Sequence, residues 1–348
     1  MPPRPKRHHY VTRAYLEGFL EPSHTQLYCW RRHRTEPFRS RPDEIAFERN
    51  YYSFRNPDGT WNDRAETFFA ERIEAPGLPV LRRLASGNTR LNWDERNTLS
   101  LLLALQEFRV PSYRREMARL QHEMISQIVS DYEANAAKFG YTGRVRMQAG
   151  ETSTAVSIER LRAELEESSN EYDRSNLALL FSAAYQMSEI YSHMKWTVFY
   201  SDGEERFMTS DSPVIRLFNS GKGGFAGLLR PDVEVRFPLS RSAMLSLTHD
   251  VTLIERALRC SDKERIRLLS RLPEVRIARS VGEDVDRANR VQAYHSSVLI
   301  LSGRHLPWAS PIMKEPSKNV QMWVRQEAGG YRLMSEIRYF PGTNPYDR

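Results

Sequence analysis

Apolar residues recur at helical spacing over two long stretches of this chain, and the period shortens to two only at Trp196. From about Glu95 to Ala136 the apolar positions fall three or four apart, which predicts helix, with Asp94 placed to cap it. Pro111 cannot donate to the turn before it, so a kink or break is expected near Arg109-Val110. Ser157 to His193 predicts another long helix, amphipathic through Leu161, Leu165, Leu177, Leu180, Phe181 and Ile190. A polar, Gly-containing connection from Gly140 to Thr154 separates the two. A shorter helix capped by Asn62 or Asp63 turns Ala65, Phe68, Phe69 and Ile73 inward and ends before Pro76.

Strands are predicted over Trp196–Tyr200, Arg206–Thr209, Val233–Phe237 and Ala243–Leu247, with Asp202-Gly203 as a hairpin turn between the first two. Helices return over Val251–Leu272 and Glu283–Tyr294, and Val298–Leu301, Val320–Val324 and Tyr331–Ile337 close the chain as strands. Near the N-terminus, Gln26–Arg32 and Arg34–Arg39 predict a loose, cation-rich hairpin. Long helices followed by a mainly antiparallel sheet make an α+β protein. With no internal repeat and no linker, residues 1–348 are expected to form one large domain: a basic segment 1–60, a helical part 63–194 and a mixed part 196–348.

An apolar fraction of 40% suffices for a packed core. No window reaches the roughly 18 apolar residues of a membrane span, and the Pro- and Arg-rich start lacks the apolar stretch of a signal peptide. Cys29 and Cys260 form no Cys-x-x-Cys pair, so neither a disulfide framework nor a thiolate zinc site is indicated, and cytoplasmic residence is the default. The net charge is +7, and 44 of the 51 basic residues are arginine. Guanidinium groups bind phosphate bidentately and stack on bases, which invites RNA or DNA as a partner. Codon bias, a GC-rich genome replacing lysine with arginine throughout, accounts for the excess equally well, because the arginines are spread along the chain and many have Glu or Asp neighbours suited to surface ion pairs.

The densest chemistry stands at the start. Lys6-Arg7-His8-His9-Tyr10-Val11 runs into Thr12-Arg13-Ala14-Tyr15-Leu16-Glu17-Gly18-Phe19, where Thr12 can cap a short helix whose Tyr15, Leu16 and Phe19 share a face. Both imidazoles are then expected near the positive end of that helix, which attracts anions and favours a neutral ring. Neighbouring residues alternate faces, so at most one of His8 and His9 is the working imidazole, a general base or single metal ligand. The other packs as a plug, and the plug reading has His9 under Tyr15 and Phe19. Lys6, Arg7 and Arg13 are candidate phosphate contacts.

Asp211, at a predicted strand end, is the candidate carboxylate for Mg²⁺ or Mn²⁺ or for orienting a histidine, with an Asx-turn as the alternative. Gln106 and Arg109 share a helical face and can offer an amide and a cation to phosphate; alternatively Arg109 ties the kinked helix to Glu71 or Glu74. Asn289 binds a ligand or satisfies a strand edge. Arg31 and Arg32, with Tyr28 and Trp30, offer cations and rings to nucleic acid. Ser220–Gly224 lacks the spacing of a phosphate-binding loop, and Pro231–Arg236 lacks that of a nuclease carboxylate pair.

The N-terminal block, Gln106-Glu107-Phe108-Arg109-Val110-Pro111, Thr209-Ser210-Asp211-Ser212-Pro213, Phe237-Pro238-Leu239-Ser240 and a late helix with Asn289 together resemble the bacterial domain-of-unknown-function family 4238. Thr12 stands where that family's pattern has proline. The resemblance implies candidate positions and no reaction. The residues themselves lead to the expectation of a phosphodiester-acting enzyme, a nuclease with His8 or His9, Asp211 and Arg109 as its catalytic groups. The alternatives are a non-catalytic nucleic-acid-binding protein and an enzyme on another anionic small molecule.

Overall fold

Thr12 caps as its position predicts: its hydroxyl accepts the Tyr15 N–H at 3.2 Å and opens a single helical turn. The computed structural model describes residues 7–34, 36–56, 58–139, 144–149, 152–166, 174–218, 228, 230–315, 319–327 and 330–338; Lys6 and the 220–224 segment lie outside them.

In chain order, β1 (Arg7–His9) leads through Thr12 into α1 (Arg13–Leu16), then β2 (Leu27–Arg31), β3 (Phe38–Ser40), β4 (Phe47–Arg49), β5 (Phe54–Arg55) and β6 (Trp61–Asn62). The helical part holds α2 (Arg64–Phe68), a π-helical turn Phe69–Glu74, α3 (Ala75–Ala85), α4 (Trp93–Phe108) and α5 (Pro111–Phe139). It continues through β7 (Arg144–Ala149), β8 (Thr152–Ser157), α6 (Ile158–Glu166) and α7 (Arg174–His193). Then come β9 (Lys195–Ser201), β10 (Thr209–Ser210), β11 (Ile215–Phe218), β12 (Val233–Ser240), β13 (Ala243–Thr248), α8 (Val251–Arg259) and α9 (Asp262–Leu269). The last are β14 (Arg276–Ser280), α10 (Gly282–His295), β15 (Leu299–Ser302), α11 (Ala309–Lys314), β16 (Asn319–Glu327) and β17 (Gly330–Arg338). The chain is α+β.

One sheet runs β11-β12-β13-β9-β14, antiparallel except for β14 on β9; a second runs β10-β15-β2-β3. Alternation along the first sheet turns Trp196, Val198, Val235, Phe237, Leu245 and Leu247 into the main core with Leu99, Leu103 and Leu84 of the helices. Met244 on its other face meets Val285 and Ala288 of α10. The second sheet sends Leu27, Cys29, Leu299 and Leu301 into the main core and packs Trp30 and Ile300 against α11. Tyr15 ties α1 to both sheets: its hydroxyl lies 2.8 Å from Thr209 Oγ1 and donates to the Pro238 carbonyl at 2.8 Å.

The break at Arg109-Val110 falls where Pro111 requires it, and Pro111 becomes the first residue of α5. The cap of α4 is Asn92 rather than Asp94, because Asn92 completes a capping box with Glu95. The helix expected to end before Pro76 runs on to Ala85. The Ala75 N–H reaches back to the Ala70 carbonyl, and this wider turn puts Pro76 where a proline costs no hydrogen bond. The polar stretch 140–154 contains most of a hairpin, β7–β8. Asp202-Gly203 does not join β9 to the next strand: β10 pairs with β15, and β9 lies between β13 and β14.

Candidate functional site

His8 and His9 lie on a strand rather than at a helix end. β1 pairs antiparallel with β4, His8 opposite Glu48 and His9 opposite Phe47, and the pleat sends the two rings to opposite sides. His8 is fully buried. Its Nδ1 accepts the Tyr52 N–H at 3.0 Å, and its ring stacks on Tyr52 at 5.9 Å and 7°. These contacts pack the His8 ring into the fold, away from the solvent. His9 is half-buried, tilted against Phe47 at 5.6 Å instead of lying under Tyr15 and Phe19. Its ring hydrogen-bonds the Asp43 backbone, while Nε2 is buried with no hydrogen-bond partner.

That ring forms part of the wall of a cavity of about 420 Å³, with Thr12, Arg13, Ala14 and Glu17 around α1 and with Glu66 and Glu74. The two carboxylates are eight residues apart, which on a regular α-helix leaves them about 80° out of phase. The π turn underwinds the segment between them and brings both to the cavity. Glu74 accepts from Arg109 Nη1 at 2.5 Å.

Arg109 is 1% exposed; its Nε donates to the Tyr10 carbonyl and to Gln106 Oε1, both at 3.0 Å, and Gln106 Nε2 donates to the same carbonyl at 2.9 Å. The Gln106–Arg109 pair therefore fixes the backbone directly after His9. Of the two acids proposed as partners, Glu74 is the one Arg109 meets. Arg109 Nη2 is buried without a partner.

Burial dominates the electrostatics. It holds the His9 imidazole below its ordinary pKa, with Asp43 and Glu74 opposing and Arg109 reinforcing. It pushes the Glu66 carboxyl up to about 7, with Arg109 opposing and Glu74 and Asp63 reinforcing. The cavity thus pairs a ring whose neutral form burial favours with a carboxyl whose protonated form burial favours. The remaining charges are Arg109 on Glu74 and, at the rim, Arg13 on Glu17 at 2.7 Å, so an anion meets no net repulsion.

The other candidates are placed elsewhere. Asp211 is 4% exposed and its carboxylate accepts the N–H groups of Ser297 (2.9 Å) and Val298 (2.7 Å). It fastens the end of α10 to β10 and forms no wall of the cavity. Neither the metal reading nor the Asx-turn describes these bonds; the local turn is made by Ser210, whose hydroxyl accepts the Ser212 N–H. Burial pushes Asp211 up to about 6 against those two bonds, a further backbone hydrogen bond from Leu299 and the Arg32 charge.

Arg32 is buried and donates to the carbonyls of Ala293, Ser296, Ser297, Ile312 and Glu315, which leaves it nothing for a ligand. Asn289 serves a strand edge, accepting from the Met208 N–H at 2.9 Å and donating to the Arg206 carbonyl at 2.8 Å. Arg7 and Arg31 are exposed over Phe47 and Phe38. Among the described residues no three His, Cys, Asp or Glu side chains are grouped to hold a metal.

Sequence reasoning did not find Glu66. Its only signal is its helical phase relative to Glu74, and that phase is set by a π turn with no local sequence mark.

A family model described as a protein of unknown function, DUF4238, matches residues 7–305, and the chain belongs to that family. No curated protein and no solved structure matches. Among the described residues no helix is long and apolar enough to cross a membrane, and Cys29 and Cys260 are free thiols.

Proposed function

We propose that this member of the DUF4238 family is a hydrolase acting on phosphodiesters, a nuclease on RNA or DNA in the cytoplasm, with its chemistry in the His9 cavity. The observation that carries the reading is that His9, whose Nε2 has no hydrogen-bond partner, and Glu66, whose carboxyl is raised to about 7, line one cavity. Neutral His9 takes a proton from water as the water oxygen bonds to phosphorus. The bond to the leaving oxygen breaks, and Glu66 gives that oxygen its proton. Each such transfer is worth roughly 10²- to 10⁴-fold in rate. Arg109 supplies positive charge beside both groups, and its bond to Glu74 and clamp on Tyr10 hold His9 in place. Metal ions enter only as a condition to vary, since no step needs one.

The test uses bis(p-nitrophenyl) phosphate and labelled RNA and DNA, with and without Mg²⁺ or Mn²⁺, on the full chain and on His9→Gln and Glu66→Gln. Both variants are expected to lose at least ~100-fold in turnover. Unchanged turnover in both overturns the assignment. A second reading, binding without cleavage, has one observation in its favour: the exposed cations of the β2–β3 hairpin. It predicts salt-sensitive oligonucleotide binding with no hydrolysis under any condition.

A further inference from the structure

The β2–β3 hairpin carries three exposed guanidinium groups, each laid over an aromatic ring. Arg31 and Arg34 lie over Phe38 at 5.8 and 5.3 Å, and Arg39 lies over Tyr28 at 4.5 Å. The register sets Tyr28 opposite Arg39 and Cys29 opposite Phe38, so the stacks flank β3 on both faces. β3 is the outermost strand of its sheet. Arg39 gives one long bond, 3.5 Å, to the Gln26 carbonyl. Among the described residues no carboxylate pairs with any of the three, whereas nearby Arg41 is held by Asp43 and Arg13 by Glu17.

We infer that this hairpin is a binding surface for single-stranded nucleic acid. A guanidinium resting on a ring keeps its outer face and its edge N–H groups free: the face takes a base, the edge takes a phosphate. Three such units across one hairpin suit a polyanion that repeats phosphate and base, and exceed what a single small anion engages. Single strands fit because a duplex hides its base faces. A lipid surface fits poorly, because none of the exposed large apolar side chains falls between Leu27 and Ser40. As a route for substrate, the inference rests on the nuclease reading of the His9 cavity; as a binding surface, it stands apart from it.

The experiment measures fluorescence anisotropy of labelled single-stranded RNA, single-stranded DNA and a duplex against the full chain over a salt series. The variants are Arg31→Gln/Arg34→Gln/Arg39→Gln and the matching triple Lys variant, both checked for native circular dichroism. The Gln variant is expected to lose at least ~10-fold in single-strand affinity and to flatten the log K against log salt slope by about 2, three contacts at about 0.7 each. The Lys variant keeps the slope and loses affinity several-fold, because charge remains without the planar stack.

Single-strand binding unchanged in the Gln variant overturns the inference. So does duplex binding that equals single-strand binding, or an equal loss of binding to phosphatidylglycerol vesicles, which would make the surface a general anion patch. Bis(p-nitrophenyl) phosphate separates this failure from failure of the cavity reading. His9→Gln stops its turnover and leaves oligonucleotide binding intact, while the hairpin variants do the reverse.

Discussion

Glu66→Gln separates a desolvated working carboxyl from an ordinary surface acid, because stability and activity respond to it in opposite directions. Burial raises Glu66 from 4.5 to about 7, a gap that corresponds to about 3 kcal/mol between the protonated and ionised forms. Below pH 4.5 the group is protonated in both folded and unfolded chains. As pH rises toward 7 the unfolded chain ionises and the folded chain does not, so the wild type loses up to about 3 kcal/mol of folding stability. Glutamine keeps the neutral shape and never ionises. The variant should match the wild type near pH 4.5 and exceed it by up to about 3 kcal/mol at pH 8 in urea unfolding. Its turnover should fall at least ~100-fold at every pH. The wild-type rate should form a bell, rising as His9 loses its proton below 6.5 and falling as Glu66 loses its own near 7. A stability difference that does not grow with pH would refute the buried carboxyl, and retained turnover would refute its role as the acid.

The two histidines should separate cleanly. His8→Ala strips the Tyr52 N–H of its acceptor and opens a hole beside that ring, costing about 2–4 kcal/mol by urea unfolding, whereas His9→Gln should unfold within about 1 kcal/mol of wild type. Arg109→Met leaves the Glu74 carboxylate without its buried partner and should cost about 3–5 kcal/mol, with Arg109→Met/Glu74→Met recovering most of it; a double variant as unstable as the single would show the pair is not coupled. Asp211→Ala orphans the Ser297 and Val298 N–H groups and should cost roughly 2–4 kcal/mol without altering the pH profile of turnover, a shifted profile being the result that restores Asp211 to the site. Gly303→Ala should destabilise strongly in thermal unfolding, since a Cβ there would run into the Phe19 carbonyl oxygen, and a native-like Tm would contradict that approach.

Much of the local chemistry was legible in the sequence, though the Asn92–Glu95 capping box and the π turn before Pro76 were not. Thr12 caps, Pro111 breaks and restarts a helix, and Gln106 and Arg109 share a face because each depends only on near neighbours. Which of His8 and His9 is buried and which reaches the cavity was not legible, because it is decided by pairing with Phe47–Arg49, some forty residues on. β10 misled for a related reason. Asp202-Gly203 is good turn chemistry, yet Met208 buries its side chain against Trp30 and Ile300 and draws the following residues to β15. Asp211 marked a strand end correctly, but a carboxylate there serves a ligand or the fold according to which N–H groups arrive from elsewhere, and those of Ser297 and Val298 arrive from 86 and 87 residues downstream.

The arginine excess reads differently once each side chain is placed. Arg32 closes five carbonyls around α10 and α11; Arg96 donates to the Ser192, Met194 and Pro273 carbonyls while lying 4.2 Å over Trp196; Arg109 holds Tyr10 and Glu74. These three stitch helix ends and strands together, a task that needs several donors in one plane and that lysine cannot perform. Burial lowers the pKa of Arg32 and of Arg96, the latter to about 10, and both stay charged at neutral pH. Their charge counts toward +7 but reaches no partner in solution, so net charge by itself says little about binding to nucleic acid. The informative cations are of the kind the fold leaves exposed on rings and without carboxylates among the described residues: Arg31, Arg34 and Arg39 on the β2–β3 hairpin, and Arg7 over Phe47. Long-range attraction to a polyanion depends on charges of that kind, screened over about 10 Å at 0.1 M salt, and the salt slope of the hairpin variants therefore tests a property that composition could not assign.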